Sequence, residues 1–237
     1  MKGWAEELLT AFDGLTCEES VFRGIESTAR SLGFDYCAYG LRAPWPVSRP
    51  KVSIFSNYPS AWCDRYRDAG YLRRDPTVVH GAKSQAPVVW SQALFSPVAD
   101  LWSEARAFGL RVGCAQSSLM PNGSGGMLTL ARAHDEITAT EMAANQTRMR
   151  WLVNVAHMTL APLVSLPKEG DARARLTQRE LEVLKWTADG KSSGQISDIL
   201  TISIDTVNFH VKNAVRKLSA ANKTAAVVRA AMTGLLA

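Results

Sequence analysis

The chain has 237 residues, is 46% hydrophobic and 21% charged, and carries a formal net charge of +5, a balance that supports a buried core and excludes disordered, collagenous and repetitive chains. Its longest uncharged apolar run, residues 151–167, is interrupted by Asn154, His157 and Pro162 and falls short of the ~20 apolar residues of a membrane span. The acidic start, Met1-Lys-Gly-Trp-Ala-Glu-Glu7, does not read as an export signal, so a cytoplasmic protein with no membrane partner is expected.

In chain order, apolar spacing predicts helices over Trp4 to Phe12 and Glu19 to Leu32. Phe34 to Leu41, Val52 to Ser56, Leu110 to Met120 and Gly126 to Ala133 are short apolar runs with strand character, the last two joined through the turn-forming stretch 121–125. Thr138, with Glu141 three residues on, opens a long helix that keeps Met142, Met149, Leu152, Ala156 and Leu160 inward. The expected fold class is α+β: an antiparallel sheet with helices on both faces, an α/β/α sandwich, followed by a separate helical module. Pro162 to Arg175 reads as a helix stop and connector, which places domains at 1–165 and 176–237 with a linker at 166–175.

Cys17, Cys37, Cys63 and Cys114 are too dispersed for a zinc motif. Free, mostly buried thiols are expected, with no metal and no cofactor. Asp75 and His80 lie near one another in sequence, but no nucleophile turn, metal spacing or second carboxylate accompanies them, and His134, His157 and His210 are isolated. No catalytic residue and no enzyme activity are expected.

Downstream of the linker, Thr177 and Glu180 form a capping-box pattern whose helix runs to Gly190. A second helix starts near Ser192 or Ser193, residues 201–203 make a tight connection, Ser203 caps a third helix, and a fourth begins near Asn222. With Val207, Val211, Ala214 and Leu218 inward, steps of about 100° per residue put Asp205, Phe209, Lys212, Asn213 and Arg216 on the opposite face, with Thr206 and Asn208 at its margins. Such a face suits a DNA major groove: Asn matches adenine, Arg or Lys guanine or phosphate, and Phe a thymine methyl. Residues 176–237 carry eight basic against five acidic side chains, compatible with that partner. A plain helical bundle with a solvated face has the same outline, so the pattern alone leaves both readings open.

The stretches Leu176-Thr-Gln-Arg-Glu-Leu-Glu-Val-Leu184, Ala188-Asp-Gly-Lys-Ser192, Ile196-Ser-Asp-Ile-Leu200 and Ile202 to Leu218 resemble the C-terminal module of LuxR-type regulators, with Glu180, Leu184 and Gly190 on the family's near-invariant positions. The resemblance implies a four-helix DNA-binding domain whose third helix enters the major groove, with Thr206, Asn208, Phe209, Lys212, Asn213 and Arg216 as its DNA-facing residues. Ser197 departs from the small apolar residue more usual at its position.

Ahead of this module, residues 1–165 lack the acidic cluster, central aspartate and later lysine of a phosphorylated receiver domain. Tyr58-Pro-Ser-Ala-Trp62, Tyr66, Asp75-Pro76, Trp90 and Gly113 resemble instead the autoinducer-binding domain of quorum-sensing LuxR-type proteins. Taken singly, the aromatics read as core residues and Asp75 as a turn cap; the resemblance rests on their order and combination. It implies an uncharged N-acyl-homoserine lactone as ligand, with two carbonyl acceptors, one amide N–H and an alkyl tail. Trp62, whose indole only donates, suits the lactone carbonyl, and Asp75 the ligand N–H. Tyr58 and Thr129 are the hydroxyls for the acyl carbonyl, Trp90 packs near the lactone ring, and Tyr66 closes over the chain. Ala38 stands where some relatives have a serine near the head group.

The resemblance as a whole implies a transcription regulator that binds a small-molecule autoinducer and, as a homodimer, double-stranded promoter DNA, with RNA polymerase a further partner of an activator. A regulator with the same DNA-binding module that answers to another small molecule, or to none, is the alternative. The helix from Glu141 to Leu160 and the last helix are the candidate dimer surfaces.

Overall fold

The computed structural model describes residues 2–44, 46–120, 123–164 and 176–236. The expected linker, 166–175, lies outside the described residues, as do Pro121 and Asn122 of the expected hairpin connection. The helices and strands fall into two compact units.

The first unit begins with α1 (Lys2–Phe12), α2 (Glu18–Ser31), β1 (Tyr36–Arg42) and β2 (Val52–Ser56). It continues through α3 (Ser60–Asp68), a 3-10 turn at Tyr71–Arg73, α4 (Pro76–Gly81), β3 (Val88–Val89), α5 (Gln92–Phe95) and α6 (Ala99–Ala107). The strands β4 (Val112–Leu119) and β5 (Gly125–Arg132) and the long helix α7 (Ala139–Val164) complete it. The five strands make one antiparallel sheet in the order β2-β1-β5-β4-β3. The expected α+β class, with an antiparallel sheet between helical layers, is the one observed.

Strand side chains alternate between faces, and the two faces of this sheet serve different purposes. Cys37, Tyr39, Leu41, Cys114, Leu128 and Leu130 enter a core with Val21 and Ile25 of α2 and Met149, Leu152 and Leu160 of α7. Each of these larger apolar side chains contributes about 1.5–3 kcal/mol on burial. Burial also pushes the thiols of Cys37 and Cys114 up to about 12, so both stay protonated. A Cβ on Gly126 would collide with the Tyr39 hydroxyl and the His157 ring, so glycine is what lets α7 approach β5. At the end of β5, Arg132 donates to both carboxylate oxygens of Glu141 at 2.8 Å, fixing the first turn of α7.

Pro162 does not stop α7 as expected; the helix runs on to Val164. A proline here forfeits the bond to the carbonyl of Met158, but Met158 is 66% exposed, so water can take that bond, and only two helical residues follow.

The second unit consists of α8 (Gln178–Ala188), α9 (Ser193–Leu200), α10 (Ile204–Lys217) and α11 (Lys223–Met232). Thr177 Oγ1 accepts from the Glu180 N–H at 3.2 Å while the Thr177 N–H donates to the Glu180 carboxylate at 2.7 Å, the reciprocal capping box. Ser192 and Gln195 repeat it on α9, and Ser203 and Asn222 cap α10 and α11. Gly190, at φ +82°, ends α8 in the left-handed conformation open to glycine. Val183, Ile196 and Val207 form one buried cluster, and Leu184, Ala214, Ala226 and Ala230 another. Inside, the Lys217 ammonium lies 2.8 Å from the buried Glu180 carboxylate. Burial pulls the Glu180 pKa up, but Lys217 and the Thr177 N–H outweigh it and hold the group below its ordinary range.

Candidate functional site

On the sheet face turned away from α7, the side chains shrink to Ala38, Gly40 and Thr129, and the helices α3 to α6 cover a cavity of about 900 Å³. Tyr58, Trp62, Tyr66, Asp75, Trp90 and Thr129, the six residues singled out from the sequence, all line it.

Their positions follow from local chemistry. The spacing of Trp62 and Tyr66 puts both on one side of α3, where their rings meet edge to face at 5.7 Å. Asp75 is the N-cap of α4, with Pro76 in the first turn where its missing N–H costs nothing. One Asp75 oxygen accepts from the Thr77 N–H at 2.8 Å and the Thr77 hydroxyl at 2.6 Å, and the other from the Tyr66 hydroxyl at 2.9 Å. The carboxylate is therefore clamped in orientation, yet an oxygen with two lone pairs retains capacity for a further donor. Tyr66 thus positions Asp75 as well as lining the wall, a role its sequence context did not indicate. Thr77 was absent from the sequence-derived set; a hydroxyl two residues after an aspartate is the turn signal that could have found it.

Trp90 is held by its backbone N–H, which donates to the Gly113 carbonyl at 2.8 Å. A Cβ on Gly113 would lie 2.8 Å from the Trp90 ring and 2.7 Å from the Leu130 carbonyl, so glycine at 113 leaves room for the indole beside β4. Trp102 of α6, also missed, joins the same wall and stacks on Phe95 at 4.6 Å.

The hydrogen-bond balance of the cavity is uneven. The Tyr58 hydroxyl and the indole N–H groups of Trp90 and Trp102 are buried with no partner among the described residues. Burial above all raises the Tyr58 pKa well beyond its ordinary value, so the hydroxyl remains a donor. Unpaired buried polar groups cost free energy, about 1–3 kcal/mol each. A molecule bringing acceptors to these groups would remove that cost.

The second unit presents a different surface. α10 buries Val207 and Ala214, packs Val211 and Leu218 partly against the two clusters, and exposes Asp205, Asn208, Phe209, Lys212 and Arg216. Phe209 is 61% exposed. Thr206 is half-buried with its hydroxyl 2.8 Å from that of Ser203, Asn208 accepts from the Ser193 hydroxyl at 2.9 Å, and the half-buried Asn213 accepts from Arg216 at 3.2 Å. Arg216 and Asn213 are thus already oriented on one helical face. α9 and α10 are joined by residues 201–203, with Thr201 left-handed at φ +53°, the geometry of a helix-turn-helix. Among the described residues no helix is long and apolar enough to cross a membrane.

Residues 18–160 match the family described as autoinducer binding domain, and residues 174–230 match bacterial regulatory proteins, luxR family. The chain is 44% identical to the transcriptional activator protein AnoR of Acinetobacter nosocomialis, over 100% of both chains. A crystal structure of Escherichia coli SdiA superposes with a TM-score of 0.88 at 37% identity, covering 100% of this chain and 99% of that one. A structure of SdiA in complex with octanoyl-rac-glycerol superposes at 0.86, also at 37% identity, covering 99% and 96%. These relatives are regulators and not enzymes.

Proposed function

Because the chain belongs to the LuxR family of quorum-sensing transcriptional regulators, with an autoinducer-binding domain ahead of a helix-turn-helix, we propose that its signal is an N-acyl-homoserine lactone. The observation that carries this reading is a buried, unpartnered Tyr58 hydroxyl and a clamped Asp75 carboxylate lining the same cavity. Tyr58 donates to the acyl carbonyl, with Thr129 beside it, and Asp75 accepts from the amide N–H. Trp62 donates to the lactone carbonyl, Trp90 walls the ring, and the alkyl tail takes the apolar remainder of the cavity. Residues 1–165 are the ligand-binding domain and 176–237 the DNA-binding domain of a cytoplasmic regulator.

Ligand that binds only the folded domain stabilises it by mass action and favours a homodimer. α7 offers a surface for it, with Trp151 43% exposed and Met158 66% exposed seven residues apart on one helical side. In the dimer two α10 helices enter successive major grooves of a palindromic promoter site, with Thr206, Asn208, Phe209, Lys212, Asn213 and Arg216 facing the DNA. RNA polymerase is a further partner where the protein activates.

A second reading is a neutral monoacylglycerol as signal, motivated by the SdiA complex with octanoyl-rac-glycerol. That molecule offers an ester carbonyl to Tyr58 but no amide N–H to Asp75. The test is a thermal-shift panel of the full chain with lactones of graded length and with octanoyl-rac-glycerol, on wild type, Asp75→Asn and Trp62→Phe. Asparagine still caps α4, so the fold survives. The lactone reading expects a shift that peaks at one chain length and is weakened about 10- to 100-fold in affinity by Asp75→Asn. No shift with any lactone in folded protein removes it, and a shift with the glyceride alone installs the second reading.

A further inference from the structure

Three glycines of the sheet contrast in what a side chain would meet. At Gly113 and Gly126 a Cβ would collide with packed neighbours. At Gly40 it would meet no atom within 4 Å, and Gly40 is not among the glycines at positive φ. Glycine weakens the interior of a strand, and neither backbone conformation nor crowding accounts for it here. What fills the space in front of Gly40 is the cavity, whose wall it forms.

The sheet register locates that space. Ala38 pairs with Thr129, and Gly40 pairs with Ile54 on one side and Met127 on the other. The Gly40 row lies two residues, about 7 Å, beyond the Thr129 row. It leads toward a rim where Val52 and Ile54 expose apolar side chains.

We infer that Gly40 is a specificity-determining residue: its missing side chain admits the outer methylenes of a long acyl chain across β1, between Ile54 and Met127. The inference rests on the lactone reading, in which Tyr58, Asp75 and Thr129 hold the polar head and the chain runs outward over Gly40. Filling the position closes the outer part of the cavity and leaves the head-group contacts intact.

The test uses the full chain as wild type, Gly40→Ala, Gly40→Val and Gly40→Leu, with unsubstituted lactones from butanoyl to dodecanoyl, read by calorimetric titration. Gly40→Val and Gly40→Leu are expected to lose about tenfold or more in affinity for the longest chains bound by wild type. The shortest are bound as before, so the optimum moves to a shorter member of the series, with Gly40→Ala in between. Without ligand, Gly40→Val is expected to melt no lower than wild type, because valine favours strands and its Cβ meets no atom within 4 Å. Should the larger variants fail to fold, Gly40→Ala carries the same comparison. An unchanged length profile, a uniform loss at every length, or a wild-type optimum at butanoyl overturns the inference alone. A wild type that binds no lactone overturns the ligand reading and this inference with it.

Discussion

The Tyr39 hydroxyl lies 2.6 Å from Nδ1 of His157, between the sheet and α7, where both side chains are fully buried. Burial raises the Tyr39 pKa and so keeps the hydroxyl protonated. With the hydroxyl donating to Nδ1, the Nε2 proton points to Ser124 Oγ at 3.1 Å. This arrangement requires a neutral imidazole, and burial lowers the His157 pKa below its ordinary value. An unfolded histidine gains a proton near pH ~6.5 while the folded one resists. The contribution to stability is thus complete above about pH 6.5 and lost as pH falls from there through the depressed folded value. Urea unfolding of the full chain at mildly acidic and mildly alkaline pH should show a larger acid penalty in wild type than in His157→Gln. Equal penalties would remove His157 as the source.

Tyr58→Phe separates binding from folding. The Tyr58 hydroxyl is buried without a partner among the described residues, so deleting it should leave the ligand-free melting temperature unchanged or raised. Lactone affinity should fall by about 0.5–1.5 kcal/mol, up to roughly tenfold. A lower ligand-free melting temperature would mean that the hydroxyl serves the fold instead.

Lys217→Met tests the ion pair with Glu180, which ties α10 to α8. Glu180 is 3% exposed, and without the ammonium its carboxylate keeps the Thr177 N–H at 2.7 Å. The expected cost is about 1–3 kcal/mol. Because Glu180 is held below its ordinary range, its contribution is present above the unfolded value of about 4.3 and lost as pH falls through the folded one. Removing Lys217 lets burial raise the folded value toward or past the unfolded one, so this share of the acid loss should shrink or vanish. Circular dichroism of wild type and variant across an acid titration, with identical curves, would contradict this.

Phe209→Ala and Arg216→Ala should both weaken promoter binding while leaving the fold intact, since both side chains are exposed. The distinction lies in salt dependence. Arg216→Ala should reduce the slope of log affinity against log salt by about one. Phe209→Ala should cost about fivefold to tenfold without changing the slope. Fluorescence anisotropy on a promoter fragment at graded salt measures both, and unaltered affinity in either variant would remove that residue from the interface.

Long, strongly periodic elements were legible in the sequence. α2, α7 and α10 and four of the five strands follow their apolar spacing, and the caps at Thr177, Ser203 and Asn222 stand where side-chain oxygens precede helices. The roof of the cavity was not. α4 has six residues, α5 has four and β3 has two, too few to establish a period. Their shapes depend on tertiary partners such as the Trp90 backbone N–H to Gly113 bond and the paired Arg65 and Glu104, which join α3 to α6 at 2.7 and 2.8 Å. The six cavity residues were found through family resemblance. What the sequence concealed was how they hold one another: Tyr66 reaching Asp75 depends on a contact between α3 and the start of α4 that no local pattern encodes.

Asp75 and Tyr58 differ as markers of signal response. Asp75 would be retained by a relative that had lost its signal, because α4 still needs its cap. Tyr58 has no such second employment, since its hydroxyl satisfies nothing in the described protein. A descendant relieved of listening would gain by exchanging it for phenylalanine. Among sequences of this kind, tyrosine at this position is therefore the more telling witness that a chain still answers to a polar-headed signal.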